Sequence, residues 1–458
     1  MARPLLLLEL LCFSMALAGG AALRLELAHV DANEHCTMAE RVRRATERTH
    51  HRRLQASSTA AGGGVAAPLR WSGKTQYIAN YSIGDPPQPA EAIVDTGSDL
   101  IWTQCSTCVL PAASGCFPQN LPYYNSSLSR TVRVVPCNGA PCDVAPETGC
   151  VRGGDACVVA ASYGAGVALG VLGTEAFTFP SSSGTTGTTV TLAFGCVSQT
   201  RISPGALNGA SGIIGLGRGA LSLVNQLNDT KFSYCLTPYF RDTISPSHLF
   251  VGEQAGPSAA GGAPVTSVPF AKNPKDNPFS TFYYLPLVGL AVGNATVALP
   301  AGTFDLREAA PKVWAGGALI DSGSPFMRLV DPAHRALTKE LARQLGDSLV
   351  PPPAKLSGAL ELCVTGGHSL GAAVPPLVLR FDGGGGGSRD LVIPPENFWA
   401  RVDASTWCMV VVSSARGNAT LPTNETTIIG NFMQQDMHVL YDLANGVLSF
   451  QPANCSAV

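Results

Sequence analysis

From residue 72 onward the chain alternates short apolar runs with breaks rich in Gly, Pro, Asn and Ser. That rhythm is one of strands joined by turns, not of long amphipathic helices. The first runs are QYIANYSIG, AEAIVDTG and LIWTQC. VALGVLGTEAFTF, TVTLAFGC, HLFVGE and FYYLPLVGLAVG follow, and GALIDSG, LVLRF and HVLYDLANGVLSF complete the series. One helix stands out, from Asp331 to about Leu345. Asp331 reads as its N-cap, Pro332 suits the first helical position, and Leu337, Leu341 and Leu345 form one stripe. Residues 252–268 (GEQAGPSAAGGAPVTSV) read as a linker, and Gly383–Gly387 as a loop tip. The fold class expected is all-β, with few and short helices.

The head of the chain differs in kind. Residues 1–21 carry Arg3 and then a short apolar stretch ending in small residues, which reads as a secretory signal peptide with Glu9 as an oddity. The stretch is too short to favour a membrane span. Residues 22–72 read as a propeptide. LRLELAHVD suggests a strand, MAERVRRATERTHHRRL a basic helix with Met38, Val42 and Ala45 along one face, and QASSTAAGGGVAA a linker or processing site. Composition sharpens this division. Only 14% of residues are charged, while Gly (49) and Pro (34) are abundant. The formal charge of −2 hides nine Arg against six Asp and Glu in residues 1–70, leaving 21 basic and 26 acidic residues in the rest. A basic head on a mildly acidic body does not point to nucleic acid. The C-terminus, SFQPANCSAV, lacks the apolar tail of a lipid-anchor signal.

Fourteen cysteines suit an oxidising compartment. Cys12 falls in the signal peptide and Cys36 in the leader. The other twelve are Cys105, Cys108, Cys116, Cys137, Cys142, Cys150, Cys157, Cys196, Cys235, Cys363, Cys408 and Cys455. They allow six disulfides, whose pairing the sequence leaves open. Cys105-x-x-Cys108 has no second such pair and no nearby His ligands, so no metal site is expected. Asn125, Asn228, Asn294, Asn418 and Asn424 head candidate N-glycosylation sequons. Asn80, in an expected strand, and Asn454, beside Cys455, are poorer acceptors.

The chemistry lies in a repeated device. AEAIVDTGSDL sets Asp95-Thr96-Gly97-Ser98 after an apolar pair, and GGALIDSGSPF sets Asp321-Ser322-Gly323-Ser324 after another. About a hundred residues after each comes Ile-Ile-Gly, at Ile213-Ile214-Gly215 and Ile428-Ile429-Gly430. Two elements in the same order on both sides of one linker imply an internal duplication. Two carboxylates that meet can share one proton, because their like charges drive the two titrations apart. The ionised one then takes a proton from water while the protonated one polarises a carbonyl, which suffices for peptide hydrolysis without metal or cofactor. Gly97 and Gly323 permit close approach, Thr96 and Ser322 are placed to lock the turns together, and Ser98 and Ser324 to donate to the outer carboxylate oxygens. The Ile-Ile-Gly segments are expected behind the turns as apolar backing. Other chemistries find no support. There is no Gly-x-Ser-x-Gly elbow and no His-Glu-x-x-His, and GIIGLGRG (212–219) lacks the lysine of a phosphate loop.

VDTGSDLIWTQC, the cysteines of 105–157, SGIIGLGRG, FSYCL, GALIDSGS and IIGNFMQQDMHVLYDLANGVLSFQPANC resemble the pepsin-type aspartic proteases, in particular their plant nepenthesin-like branch. The resemblance begins near residue 23 and covers nearly all of the chain. It implies a bilobal pepsin-like fold of two related antiparallel β lobes. The N-terminal lobe would span 73–258 and the C-terminal lobe 259–458, each giving one catalytic aspartate, Asp95 and Asp321. It further implies a flap over the cleft at 161–177, with Tyr163 meeting the Trp102 indole, and a disulfide-stapled insertion at 105–157. The implied protein is a monomer, active at acidic pH on proteins or peptides, blocked by pepstatin-like inhibitors, and secreted to the apoplast or vacuolar. In its precursor the Arg-rich helix would lie over the acidic cleft at neutral pH. Two departures stand out. The flap reads Tyr163-Gly164-Ala165-Gly166-Val167 where the branch has YGDGS, and Pro325-Phe326 follows Ser324 where the branch continues Thr-Thr-Phe. Some plant proteins of this fold inhibit microbial cell-wall hydrolases instead, so a binding protein with little or no catalysis is the alternative.

Overall fold

A computed structural model describes residues 23–29, 37–51, 76–108, 115–151, 153–180, 187–203, 206–238, 246–255, 263–367, 369–370, 374–384, 387–416 and 419–457. The signal peptide, the 55–67 linker and Asn418 lie outside them. Strands dominate, as the alternation requires. The first four are β1 (Leu23–His29), β2 (Tyr77–Ile83), β3 (Gln88–Asp95) and β4 (Trp102–Gln104), and the leader helix α1 spans Met38–His51.

The two halves repeat one another in topology. In the first, β2 lies antiparallel to β3, β3 parallel to Gly212–Gly215, that strand antiparallel to β4, and β4 parallel to Thr188–Ile202. In the second, Tyr283–Leu285 lies antiparallel to Ala318–Asp321, which runs parallel to Thr427–Gly430. That strand is antiparallel to Arg328–Leu329, which is parallel to Val412–Ser413. The duplication read from two short motifs thus extends to five strands in one order. The Ile-Ile-Gly segments are hydrogen-bonded neighbours of the strands that carry the aspartates, a closer relation than apolar backing.

A fifteen-stranded sheet joins the halves. From one edge it runs Thr266–Pro269, Val447–Pro452, Met437–Asp442, Lys231–Cys235, Ser247–Val251, β1, β2, β3. The C-terminal hairpin therefore pairs with the first half of the chain. Thr266–Pro269, read as linker, is a strand. The helix Asp331–Leu345 forms where expected, with Leu337, Leu341 and Leu345 buried, but Val330 is its N-cap. Asp331 is the first helical residue. It accepts from the Ser413 hydroxyl at 2.8 Å and pairs with Arg335 one turn on.

The segment before β2 is built into this framework. β1 pairs with Ser247–Val251 on one side and with β2 on the other. Leu23, Leu25 and Leu27 point into the core, with Arg24 and Glu26 on the opposite face. α1 buries Val42 and Ala45 and packs against the second half at Trp399–Arg401, Val412–Ser413 and Ala354–Leu356. Arg43 and Arg44 both donate to Glu40 of the same helix.

All twelve expected cysteines form disulfides, as 105–196, 108–116, 137–150, 142–157, 235–455 and 363–408. Three close small loops within 108–157, while Cys105 leaves the cluster to bond Cys196 beside β4. Cys235–Cys455 ties the C-terminus to the fifteen-stranded sheet, across a separation of 220 residues. Among the sequons, Asn228 and Asn294 are exposed, Asn125 accepts from Ser127, and Asn424 has its amide oxygen enclosed without a partner.

Buried titratable groups give the fold a pH signature of mixed sign. His438 is buried beside Ser233, sharing a 2.7 Å hydrogen bond, and burial holds its pKa below the ordinary 6.5. The folded chain then binds fewer protons at His438 than the unfolded chain, so this stabilisation is present above about pH 6.5 and is lost as pH falls below it. Glu147 is the reverse case: burial, aided by the charge of Asp99, pushes it from 4.5 up to about 7. It takes up a proton on folding between those values, so its stabilisation fades as pH rises toward 7. Thermal unfolding from pH 4 to 8 checks both. His438→Gln should flatten the loss on acidification, and Glu147→Gln should raise the melting temperature at pH 7.5 more than at pH 4.

Candidate active site

Each aspartate ends a buried strand. β3 runs through Ile93 and Val94 to Asp95, which stands in register opposite Gly215, and Ala318–Asp321 ends opposite Gly430. Asp95 is 0% and Asp321 2% exposed, so both carboxyls sit where hydrogen bonds and like charges are poorly screened.

The two turns place matching donors on their carboxylates. Ser98 Oγ donates to Asp95 Oδ2 at 2.6 Å and Gly97 N–H to Oδ1 at 2.9 Å. Ser324 Oγ donates to Asp321 Oδ2 at 2.6 Å and Gly323 N–H to Oδ1 at 2.8 Å. Pro325 therefore leaves Ser324 able to make the contact that Ser98 makes. Charge-assisted bonds of this kind fix the carboxylate planes and favour the ionised form.

A crossed lock joins the turns. Ser322 N–H donates to Thr96 Oγ1 at 2.9 Å, and Thr96 N–H donates to Ser322 Oγ at 3.1 Å. Ser322 Oγ in turn donates to Val94 O at 2.9 Å. Because the locked residues directly follow Asp95 and Asp321, the lock brings the two acids together from opposite halves of the chain. Asn431 Nδ2 donates to Ser322 O at 2.9 Å and steadies the second turn from behind.

The flap forms as a hairpin of Cys157–Tyr163 and Gly166–Phe179, with Gly164-Ala165 at its tip. The Trp102 indole donates to the Tyr163 hydroxyl at 2.7 Å, and the ring centroids lie 6.0 Å apart. Ser203 N–H donates to Ala165 O at 2.9 Å and ties down the tip. A cavity lies between flap and floor. Tyr163, Gly164 and Ala165 line it on one side, Gly323 and Pro325 on another, with Ile93, Ile202, Leu207 and Ile213 as apolar wall. Gln76 closes one end and donates to Gly323 O at 3.2 Å. Among the described residues no cluster of three His, Cys, Asp or Glu is placed to hold a metal ion.

Sequence reasoning passed over three residues here. Asp99, within the quoted motif, is 5% exposed and accepts from Gly219 N–H at 2.7 Å and from the Thr281 hydroxyl of the second half. Thr281 and Gln76 lie in segments with no motif, and only the fold brings them to the site.

The lock gives a direct test. Ser322→Ala removes the hydroxyl that accepts from Thr96 and donates to Val94, leaving buried backbone groups unpaired. The expected loss of stability is about 2 kcal/mol or more. Urea unfolding measures it, and Ser322→Thr, which keeps the hydroxyl, should recover part.

Comparisons with known proteins bear on the family. The family model described as Xylanase inhibitor N-terminal matches residues 77–253, and Xylanase inhibitor C-terminal matches 282–452. Aspartic proteinase nepenthesin-1 of Nepenthes gracilis is 35% identical, over 94% of this chain and 90% of that protein. Nepenthesin-2 of the same plant is 33% identical over 95% and 90%. Aspartyl protease 37 of Oryza sativa subsp. japonica is 30% identical over 99% and 98%. Among solved structures, edgp superposes with a TM-score of 0.64 at 18% identity, covering 96% of each chain. Basic 7S globulin from soybean gives 0.60 at 18% identity, covering 83% of this chain and 94% of that one. At that identity the two structures speak for the fold alone. The matched halves meet at the crossed lock, the likeness to the nepenthesins runs through both of them, and on these grounds the chain belongs to the pepsin-type aspartic protease family, in its plant nepenthesin-like branch.

Proposed function

We propose that this protein is an aspartic endopeptidase, secreted as a precursor and active at acidic pH. The observation that carries the reading is the pair of Asp-x-Gly-Ser turns, each with the same two donors on its carboxylate, held together by the Thr96–Ser322 lock. In this reading Asp95 and Asp321 are the catalytic residues and share one proton. The ionised carboxylate takes a proton from water as the oxygen attacks the peptide carbonyl, and the protonated one donates to the carbonyl oxygen. Collapse of the tetrahedral species then passes a proton to the leaving nitrogen and restores the shared proton. Thr96, Gly97, Ser98, Ser322, Gly323 and Ser324 keep the two carboxyls in place.

A substrate would lie extended between the Tyr163 flap and the floor, with an apolar side chain against Ile93, Ile202, Leu207 and Ile213. Trp102 holds the Tyr163 hydroxyl, so the flap ring has a fixed orientation toward that chain. Residues 1–21 act as signal peptide and 22–72 as propeptide. The position of β1 between β2 and Ser247–Val251 supports a leader that folds with the enzyme and must leave two ladders when it is removed. The lobes divide near residue 258, and the site of action is the apoplast or vacuole, with Asn228 and Asn294 as the best-exposed glycan acceptors.

A second reading has specific support. The matching family models are described by xylanase inhibition, and the flap tip offers Ala165 and Val167 in place of acid and hydroxyl. A pepsin-like protein that binds a cell-wall hydrolase without cleaving peptides would fit those two facts.

Cleavage of a denatured protein by the purified, acid-treated chain separates the readings. Hydrolysis below about pH 5, blocked by pepstatin and absent from an Asp95→Asn/Asp321→Asn variant, is the expected outcome. No cleavage at any pH, with inhibition of a xylanase, selects the binding protein.

A further inference from the structure

The two turns, Asp-Thr-Gly-Ser-Asp and Asp-Ser-Gly-Ser-Pro, differ in charge at one position. Four residues beyond Asp95 stands Asp99, and four beyond Asp321 stands Pro325. In both halves the turn is held by backbone bonds from the segment after Ile-Ile-Gly. Leu216 N–H donates to Asp95 O and Gly217 N–H to Ser98 O, each at 2.8 Å. Asn431 N–H donates to Ser324 O at 2.7 Å and Phe432 N–H to Pro325 O at 2.9 Å. The first half adds a buried carboxylate, with Asp99 Oδ1 accepting from Gly219 N–H at 2.7 Å and Oδ2 from the Thr281 hydroxyl, where the second adds the neutral Asn431 amide, whose Nδ2 donates to Ser322 O at 2.9 Å. GLGRG is shaped for this carboxylate. A Cβ on Gly217 would stand 2.3 Å from Asp99 Oδ1, and one on Gly219 2.2 Å from Oδ2.

Thr281 comes from the other half of the chain and is fastened in turn. Arg218 N–H donates to Thr281 O at 3.1 Å, and the Tyr283 hydroxyl donates to Leu216 O at 2.8 Å. We propose that Asp99 is a positioning residue of the candidate active site: it clamps the turn of Asp95 to the second half through Thr281 and, by its charge, biases the shared proton toward Asp95.

The bias follows from placement. Pro325 puts no charge at the matching point beside Asp321, so an ionised Asp99 adds its repulsion on one side only. Burial above all raises the pKa of Asp99 above its ordinary 3.8, Thr281 and Gly219 favour its ionised form, and the Asp95 charge adds a smaller repulsion that is mutual. The other charged or titratable groups facing it are Glu147, whose own pKa it helps raise, Tyr283, and Arg218, whose guanidinium lies 5.3 Å from the Phe270 ring centroid and 5.5 Å from that of Tyr283. An ionised Asp99 makes the pair Asp95–Asp321 hold its proton to higher pH, extending the alkaline limb of activity.

This inference rests on the protease reading, and its test separates the two. The pH dependence of kcat/KM on one peptide is measured for the acid-activated chain and for Asp99→Asn and Asp99→Ala, beside melting temperatures. Asp99→Asn keeps the shape and an acceptor for Gly219 but loses the charge. It should move the alkaline limb to lower pH by at least roughly half a unit, and Asp99→Ala should add a loss of melting temperature. An Asp99→Asn profile that overlays the parent while stability drops overturns the electrostatic role. The clamp is read without turnover, from Asp99→Ala, Thr281→Val and the double variant. A double loss smaller than the sum supports it, and additive losses overturn it. If the parent chain cleaves nothing, the protease reading fails and takes the proton bias with it, while the thermal cycle still decides the clamp.

Discussion

Two hydrogen bonds between Thr96 and Ser322 set the constraint on which the site depends. Either aspartate alone would be a buried acid in a strand-ending turn. Through their neighbours the two acids are tied turn to turn, although 226 positions separate the locked residues. Such a lock needs both partners rigid, because hydrogen bonds this buried are lost when either turn drifts. The five-strand units supply that rigidity. Each presses its aspartate strand against an Ile-Ile-Gly strand in parallel register.

Much of this was legible in the sequence because each functional element coincides with a local pattern. An apolar pair running into Asp-x-Gly-Ser marks a buried strand and its turn, and the second copy gives the partner. The stripe of the Asp331–Leu345 helix is equally local. What escaped notice is fixed by contacts distant in sequence. Thr266–Pro269 buries only Val268 and exists as a strand because Val447–Pro452 lies beside it. The cap of the Asp331 helix moved by one residue because Ser413, 82 positions on, supplies a hydroxyl to Asp331. The pairing of Cys105 with Cys196 needs the parallel register of β4 with Thr188–Ile202, which no spacing of cysteines encodes.

The leader shows how far the resident framework extends beyond the expected lobes. Its three buried leucines fill the same core that β2 and Ser247–Val251 line, and α1 reaches the second half. The same segment carries the basic helix that packs against strands of the second half. Beside β1 the sheet carries His248, 5% exposed, paired in register with Glu26 and held below its ordinary pKa first by burial and then by Arg24. Protonating it would set a second positive charge near Arg24 in a poorly solvated place.

Symmetry explains the frame, and departures from symmetry explain its direction. The flap hairpin and the cysteine-stapled segment lie in the first half, so the cavity is lined by the flap, Ile93 and Ile213 from that half and by Gly323 and Pro325 from the other. Asp99 belongs to the first half too, with a proline at its counterpart. A perfectly two-fold pair of carboxyls would have no preference for which one holds the proton. Covering one side and charging one side both break that equivalence, and they do so on the same side, next to Asp95. The chain thus carries a symmetric lock that brings the acids together and an asymmetric surround that tells them apart.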